Sequence, residues 1–109
     1  MTISTQEYKN LIAGNYPLKF EEVSVSTTFK LGDVVAFDTN GVLKLAGESD
    51  SVVGIMTRAV SGTTNEPVVA TMAVKGEFNE NRLNFAEGSS INTHKRRMTE
   101  IGLLTRPVQ

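Results

Sequence analysis

The chain has no cysteine, no tryptophan and a single histidine. Without cysteine there are no disulfides and no thiolate metal sites. A small extracellular domain usually leans on disulfides, so their absence points to synthesis in the cytoplasm. Any staple beyond the core must then come from oligomerisation or from docking on a partner. No stretch approaches the 18 or so apolar residues of a membrane-spanning helix. The start, Met1 to Glu7, lacks the basic and apolar regions of a signal peptide. Neither sign of charge dominates: 11 Lys and Arg stand against 12 Asp and Glu, for a net charge of −1. Nothing in that balance pulls the protein to nucleic acid, which usually needs a strongly basic face. These absences predict no membrane partner, no nucleic-acid partner and no cofactor.

At 109 residues the default is one domain. Such a chain buries roughly 65% of its unfolded surface, enough for one modest core. Apolar residues make up only 39%, so part of the chain is expected to be arm or loop. Residues 1–18 read as that arm, and residues 19–109 as a β domain. In the arm, Gly14-Asn15-Tyr16-Pro17 breaks the chain, because Pro17 lacks a donor and pushes Tyr16 extended. The arm nevertheless carries Tyr8, Leu11, Ile12 and Tyr16, more large apolar groups than a solubility tail needs. Tyrosines and large aliphatics favour a segment that orders on a partner.

From Lys19 onward the pattern is short β runs cut by turn residues. Phe20, Val23 and Val25 predict a first strand, and Lys30 to Asp33 a turn. Val34–Phe37 and Val42–Leu45 predict a hairpin whose Asn40-Gly41 suits a type I′ turn, both central residues having positive φ. Val52 to Val60 is almost continuously apolar, which predicts one strand buried on both faces. Gly54 within it suggests a bulge or a close backbone approach. Val68 to Phe78 predicts the longest strand, bending near Gly76. Ser89 or Ser90 caps a short helix running to Ile101, stopped by Gly102. Ile91, His94, Met98 and Ile101 share one face of that helix. Leu103 to Val108 predicts a last strand.

Catalytic signatures are sparse. Ser-His-Asp chemistry would have to use His94, yet no strained Gly-x-Ser-x-Gly turn accompanies it. Its place beside Ile91 and Met98 favours packing or a subunit contact. Asp33, Asp38 and Asp50 each occupy a turn, where their side chains bond nearby backbone. Lys95, Arg96 and Arg97 read as a solvated face, with Glu100 one turn from Arg96, or as a contact to another protein. Lys75 in Ala-Val-Lys-Gly is faintly like the modified lysine of biotinyl and lipoyl domains. Those domains place it at a hairpin tip, whereas strand patterning here runs on to Phe78. Nothing in the residues points to an enzyme.

The order of the pieces carries more. An Asp-Thr turn separates two short apolar runs. A Val-Gly-Ile run ends in Ala59-Val60, and a Thr-containing linker spans Ser61 to Glu66. Then come a long strand ending Lys75-Gly76-Glu77-Phe78, a Leu83, the basic stretch Lys95-Arg96-Arg97 and an apolar tail. This order, over about Val34 to the C-terminus, resembles the head decoration proteins of tailed bacteriophages, of the lambda type.

The resemblance implies a mainly β, compact, β-clip-like domain with one short helix in its C-terminal half and a flexible N-terminal arm. It implies a homotrimer on the outer surface of the virion, seated on three-fold sites of the expanded shell. The major capsid protein is then the partner, and the arm adds to its sheets. Lambda-type arms are rich in Pro, Ala and Gly; this one is not, so its contact is expected to differ. On physical grounds Tyr8, Leu11, Ile12 and Tyr16 become the expected capsid contacts. Residues His94, Lys95, Arg96 and Arg97 become a weaker subunit or capsid contact. Removing residues 2–17 is expected to abolish shell binding and leave the melting temperature nearly unchanged. Other readings are a fibre or tail component, and a small β-barrel binding or carrier module.

Overall fold

The structure, a computed structural model, describes residues 11–13 and 17–108. Its strands are β1 (Lys19–Val25), β2 (Thr28–Phe29), β3 (Val34–Phe37), β4 (Leu43–Leu45), β5 (Val52–Met56), β6 (Val60–Ser61), β7 (Val68–Asn79) and β8 (Leu103–Arg106). A 3-10 turn at Glu80–Arg82 and the helix α1 (Ile91–Glu100) lie between β7 and β8. The fold is mainly β with one helix in its C-terminal half, as expected.

One sheet runs β1-β7-β5-β3-β4, all antiparallel, and β8 joins it parallel to the far half of β7. A separate ribbon pairs β2 with β6. The sheet is buried on both sides. Val34, Ala36, Ile55 and Ala73 face one cluster, completed by Met98 of α1, Leu103 of β8 and Phe78. Val35, Met56 and Met72 belong to a second, with Phe29 of β2 and Val60 of β6 packed against it. Central strands with two buried faces lose polar alternation, which is why β3 and β5 read as solid apolar runs.

Two expectations need correction. The run Val52 to Val60 is two strands. Beyond Met56 the neighbouring strand has turned away: the Gly32 N–H donates to the Met56 carbonyl, and the Met56 N–H donates to the Asp33 carbonyl. The chain leaves the β3 and β7 ladders after Met56 and bends at Thr57–Ala59, and Val60 pairs with Phe29 instead. The hairpin turn is not type I′, since Asn40 does not have positive φ and Gly41 does, at 78°. The cause is Asp38. Its carboxylate accepts the Asn40 N–H at 2.8 Å and the Val42 N–H at 3.0 Å, and its carbonyl accepts the Gly41 N–H. That is the geometry of an ordinary turn followed by one left-handed residue.

The bulge expected at Gly54 is present. Between Val35↔Gly54 and Ala36↔Val52 the register skips Val53. A Cβ on Gly54 would lie 2.7 Å from Met72 Sδ and 2.9 Å from the Ala73 carbonyl oxygen, so the close approach holds as well.

Candidate interaction surfaces

Residues 11–13, ahead of β1, are built into the globule. Leu11 is 1% exposed and belongs to the cluster of Phe78, Met98 and Leu103. Ile12 forms an antiparallel bridge with Phe78. The Ala13 N–H donates to the Glu77 carbonyl at 2.9 Å, and Arg106 donates to the Ala13 carbonyl while pairing with Glu77. The far half of β7 is thus flanked by residues 12–13 on one side and β8 on the other. This changes the expected roles. Leu11 is a core side chain and cannot contact a shell without leaving the core; Ile12 is half-buried against that core. The globule begins by Leu11, earlier than the expected boundary at 18. Removing residues 2–17 would therefore open the core, contrary to the stability expected of that deletion. Tyr8 and Tyr16 lie outside the described residues.

His94 is a packing residue. It is 3% exposed, and its ring stacks on Phe85 with centroids 5.4 Å apart and planes 7° from parallel. Its Nε2 lies 2.9 Å from Ser89 Oγ, which ties the start of α1 to the preceding loop. Ser89 holds His94 and Ser90 takes the cap position without a side-chain cap bond. A serine beside a histidine is two-thirds of a nucleophilic triad. The Asp50 carboxylate does not supply the remainder: it is engaged by Lys44 Nζ at 2.9 Å and by the Gly47 N–H at 2.7 Å.

Those contacts, the Lys44 hydrogen bond first and the Gly47 N–H second, hold the Asp50 carboxyl below its ordinary value of 3.8. A carboxyl lowered by folding contributes stability at neutral pH that disappears as pH falls through its folded value. The stability gap between wild type and Asp50→Asn should therefore be widest near neutrality and shrink below pH 3.8. Urea titrations at neutral and strongly acid pH measure it. A gap that does not change with pH would mean the carboxylate is not held this way.

The basic stretch divides three ways. Lys95 pairs with Glu80 at 3.0 Å, joining α1 to the 3-10 turn. Arg96 reaches Glu100 at 3.4 Å in an exposed pair of the kind worth little. Arg97 lines a depression of about 300 Å³ with Lys19, Lys75 and Ile101. Lys75 itself lies within β7, paired in register with Lys19, and not at a hairpin tip. Among the described residues no group of three or more His, Cys, Asp or Glu is placed to hold a metal. No described helix is long and apolar enough to cross a membrane. Larger depressions flank Lys30 and Asn84, about 440 and 650 Å³ in volume.

Sequence reasoning missed two things: the burial of Leu11, and the meeting of Lys19, Lys75 and Arg97. Only the β1–β7 register and the placement of α1 bring those three cations together. The chain matches no protein-family profile and no curated protein sequence.

Proposed function

We propose that this protein is a capsid decoration protein, which binds the outer surface of an expanded phage head as a homotrimer at three-fold sites and cements it. The reading rests on the order of sequence elements that resembles the lambda-type family. The single structural observation that supports it is the anchoring of the N-terminal segment. A cement protein tethered through its first residues must carry load from the tether into its fold. Here residues 1–10 run directly into Leu11, a core side chain, and into the Ile12–Phe78 bridge. Force on the segment would be borne by the core and by β7, not by a loose loop.

The stabilisation follows from linkage. A ligand that binds only the mature shell stabilises it by RT ln(1 + [L]/Kd) per site, roughly 2.7 kcal/mol at 100-fold saturation. Repeated over a lattice under the pressure of packed DNA, this sum is large. Trimers add avidity, because later contacts become intramolecular once the first has formed. A segment that pairs as an added strand brings backbone hydrogen bonds for affinity and side chains for register.

The test is co-sedimentation with expanded, undecorated heads of the parent phage, beside unexpanded heads. Saturable binding to expanded heads alone, at a stoichiometry matching three-fold sites, is expected. Deleting residues 2–9, which keeps Leu11, should remove that binding and leave the melting temperature nearly unchanged. Wild-type protein that binds neither kind of head would overturn the reading and turn attention to tail components and soluble binding modules.

A further inference from the structure

The depression lined by Lys19, Lys75 and Arg97 also takes in the half-buried Val53, Val74 and Ile101 over the buried Val52. Lys19 and Lys75 are direct partners in the β1–β7 ladder, and like charges directly opposite one another destabilise a strand pair. Four other cations, Lys44, Lys95, Arg96 and Arg106, each have a carboxylate within 3.4 Å. Among the described residues no ion pair engages Lys19, Lys75 or Arg97. One acid, Glu21, lines the same depression, leaving an excess of two positive charges. Lys75 is also built in. A Cβ on Gly102 would come within 3.1 Å of Lys75 Cγ, so the lysine stem lies close against the Gly102 backbone.

We propose that this depression docks a carboxylate-bearing protein segment with an aliphatic residue beside the acid. The carboxylate sits among the two lysines and the arginine, and the aliphatic group covers Val53 and Val74. Arg97 can grip a carboxylate through two parallel N–H donors, which a lysine cannot. Chemistry favours protein over nucleic acid: part of the lining is apolar, it includes an acid, and a net charge of −1 gives no long-range attraction to a polyphosphate. The inference rests on the cement reading and deepens it, by placing the acidic segment on the shell.

The experiment measures the apparent Kd for expanded heads at low salt with wild type, Lys75→Glu, Arg97→Glu and Arg58→Glu. Arg58 is an exposed cation in the turn after β5 and serves as the control. Lys75→Glu and Arg97→Glu should each weaken binding at least about tenfold and Arg58→Glu less than about twofold, with no melting temperature lowered and that of Lys75→Glu raised if anything, because it faces Lys19. Lys75→Gln and Arg97→Gln should fall between, since they remove charge without reversing it and perturb the fold least. Wild type that binds while all variants bind equally well would overturn the depression and leave the cement reading standing. Equal losses in all three charge reversals would overturn it too, as a general charge effect. Wild type that binds no head would overturn both. A labelled single-stranded oligonucleotide that binds wild type and is lost with Lys75→Glu would overturn the protein partner in favour of nucleic acid.

Discussion

Leu11→Ala is expected to lower the free energy of unfolding by about 2–5 kcal/mol, the range for truncating a buried leucine. Leu11 lies in the segment that composition marks as an arm, where a substitution would ordinarily cost less than about 0.5 kcal/mol. Its side chain is 1% exposed and shares a cluster with Phe78, Met98 and Leu103. Those residues come from the far half of β7, from α1 and from β8, so Leu11 closes a corner where three elements meet. The clamps around it limit collapse into the vacated space. Ile12 is bridged to Phe78, and the Ala13 carbonyl is held by Arg106. A cavity that cannot close costs more than the transfer of the lost methyl groups alone. For a domain of this size the loss corresponds to a fall in melting temperature on the order of 10–20 °C. Urea unfolding at constant slope measures it directly. A change below about 0.5 kcal/mol would show that the segment is not part of the core, and the anchoring argument for the tether would go with it.

The two halves of that contrast show what a sequence can and cannot reveal here. Local signals were legible. The turn at Lys30 to Asp33, the bulge at Gly54 and the helix face of Ile91, His94, Met98 and Ile101 all follow from residue types and short spacings. The features that escaped depend on partners far along the chain. Nothing near Leu11 announces Phe78, and nothing near Lys19 announces Lys75 or Arg97. The break after Met56 escaped for the same reason. An apolar run reports that a strand wants burial; it does not report where the neighbouring strand turns away. The hairpin at Asp38 to Val42 is a different case. Both signals were present and adjacent. The Asn-Gly pair suggested one turn, and the carboxylate at Asp38 fixed another by accepting two N–H groups at once.

Gly32→Ala should cost well over the typical point substitution, and Gly41→Ala much less, though both glycines have positive φ. Gly32 sits at φ +89° and Gly41 at φ +78°, so each substitution brings left-handed strain of about 1–2 kcal/mol. There the likeness ends. A Cβ on Gly41 meets nothing within 4 Å, whereas one on Gly32 would lie 2.3 Å from the Arg82 carbonyl oxygen. That oxygen belongs to backbone, so it cannot swing aside as a flexible side chain would. Gly32 also donates to the Met56 carbonyl at 2.8 Å and accepts from the Asn84 N–H at 2.9 Å. The methyl group must push the Gly32–Asp33 turn off residues 82–84, and both hydrogen bonds are exposed to that movement. At about 0.5–1.5 kcal/mol each, added to the strain, the expected loss for Gly32→Ala is about 2–5 kcal/mol. Gly41→Ala should lose about 1–2 kcal/mol, and Gly41→Asn less, because asparagine tolerates the left-handed region. Parallel urea titrations of the three variants separate the two terms. Equal losses at 32 and 41 would mean that strain alone decides and that the approach of Arg82 to the turn is not tight. A larger loss at 32 would locate the excess in the contact that holds the 3-10 turn, and with it the loop leading to α1, against the start of β3.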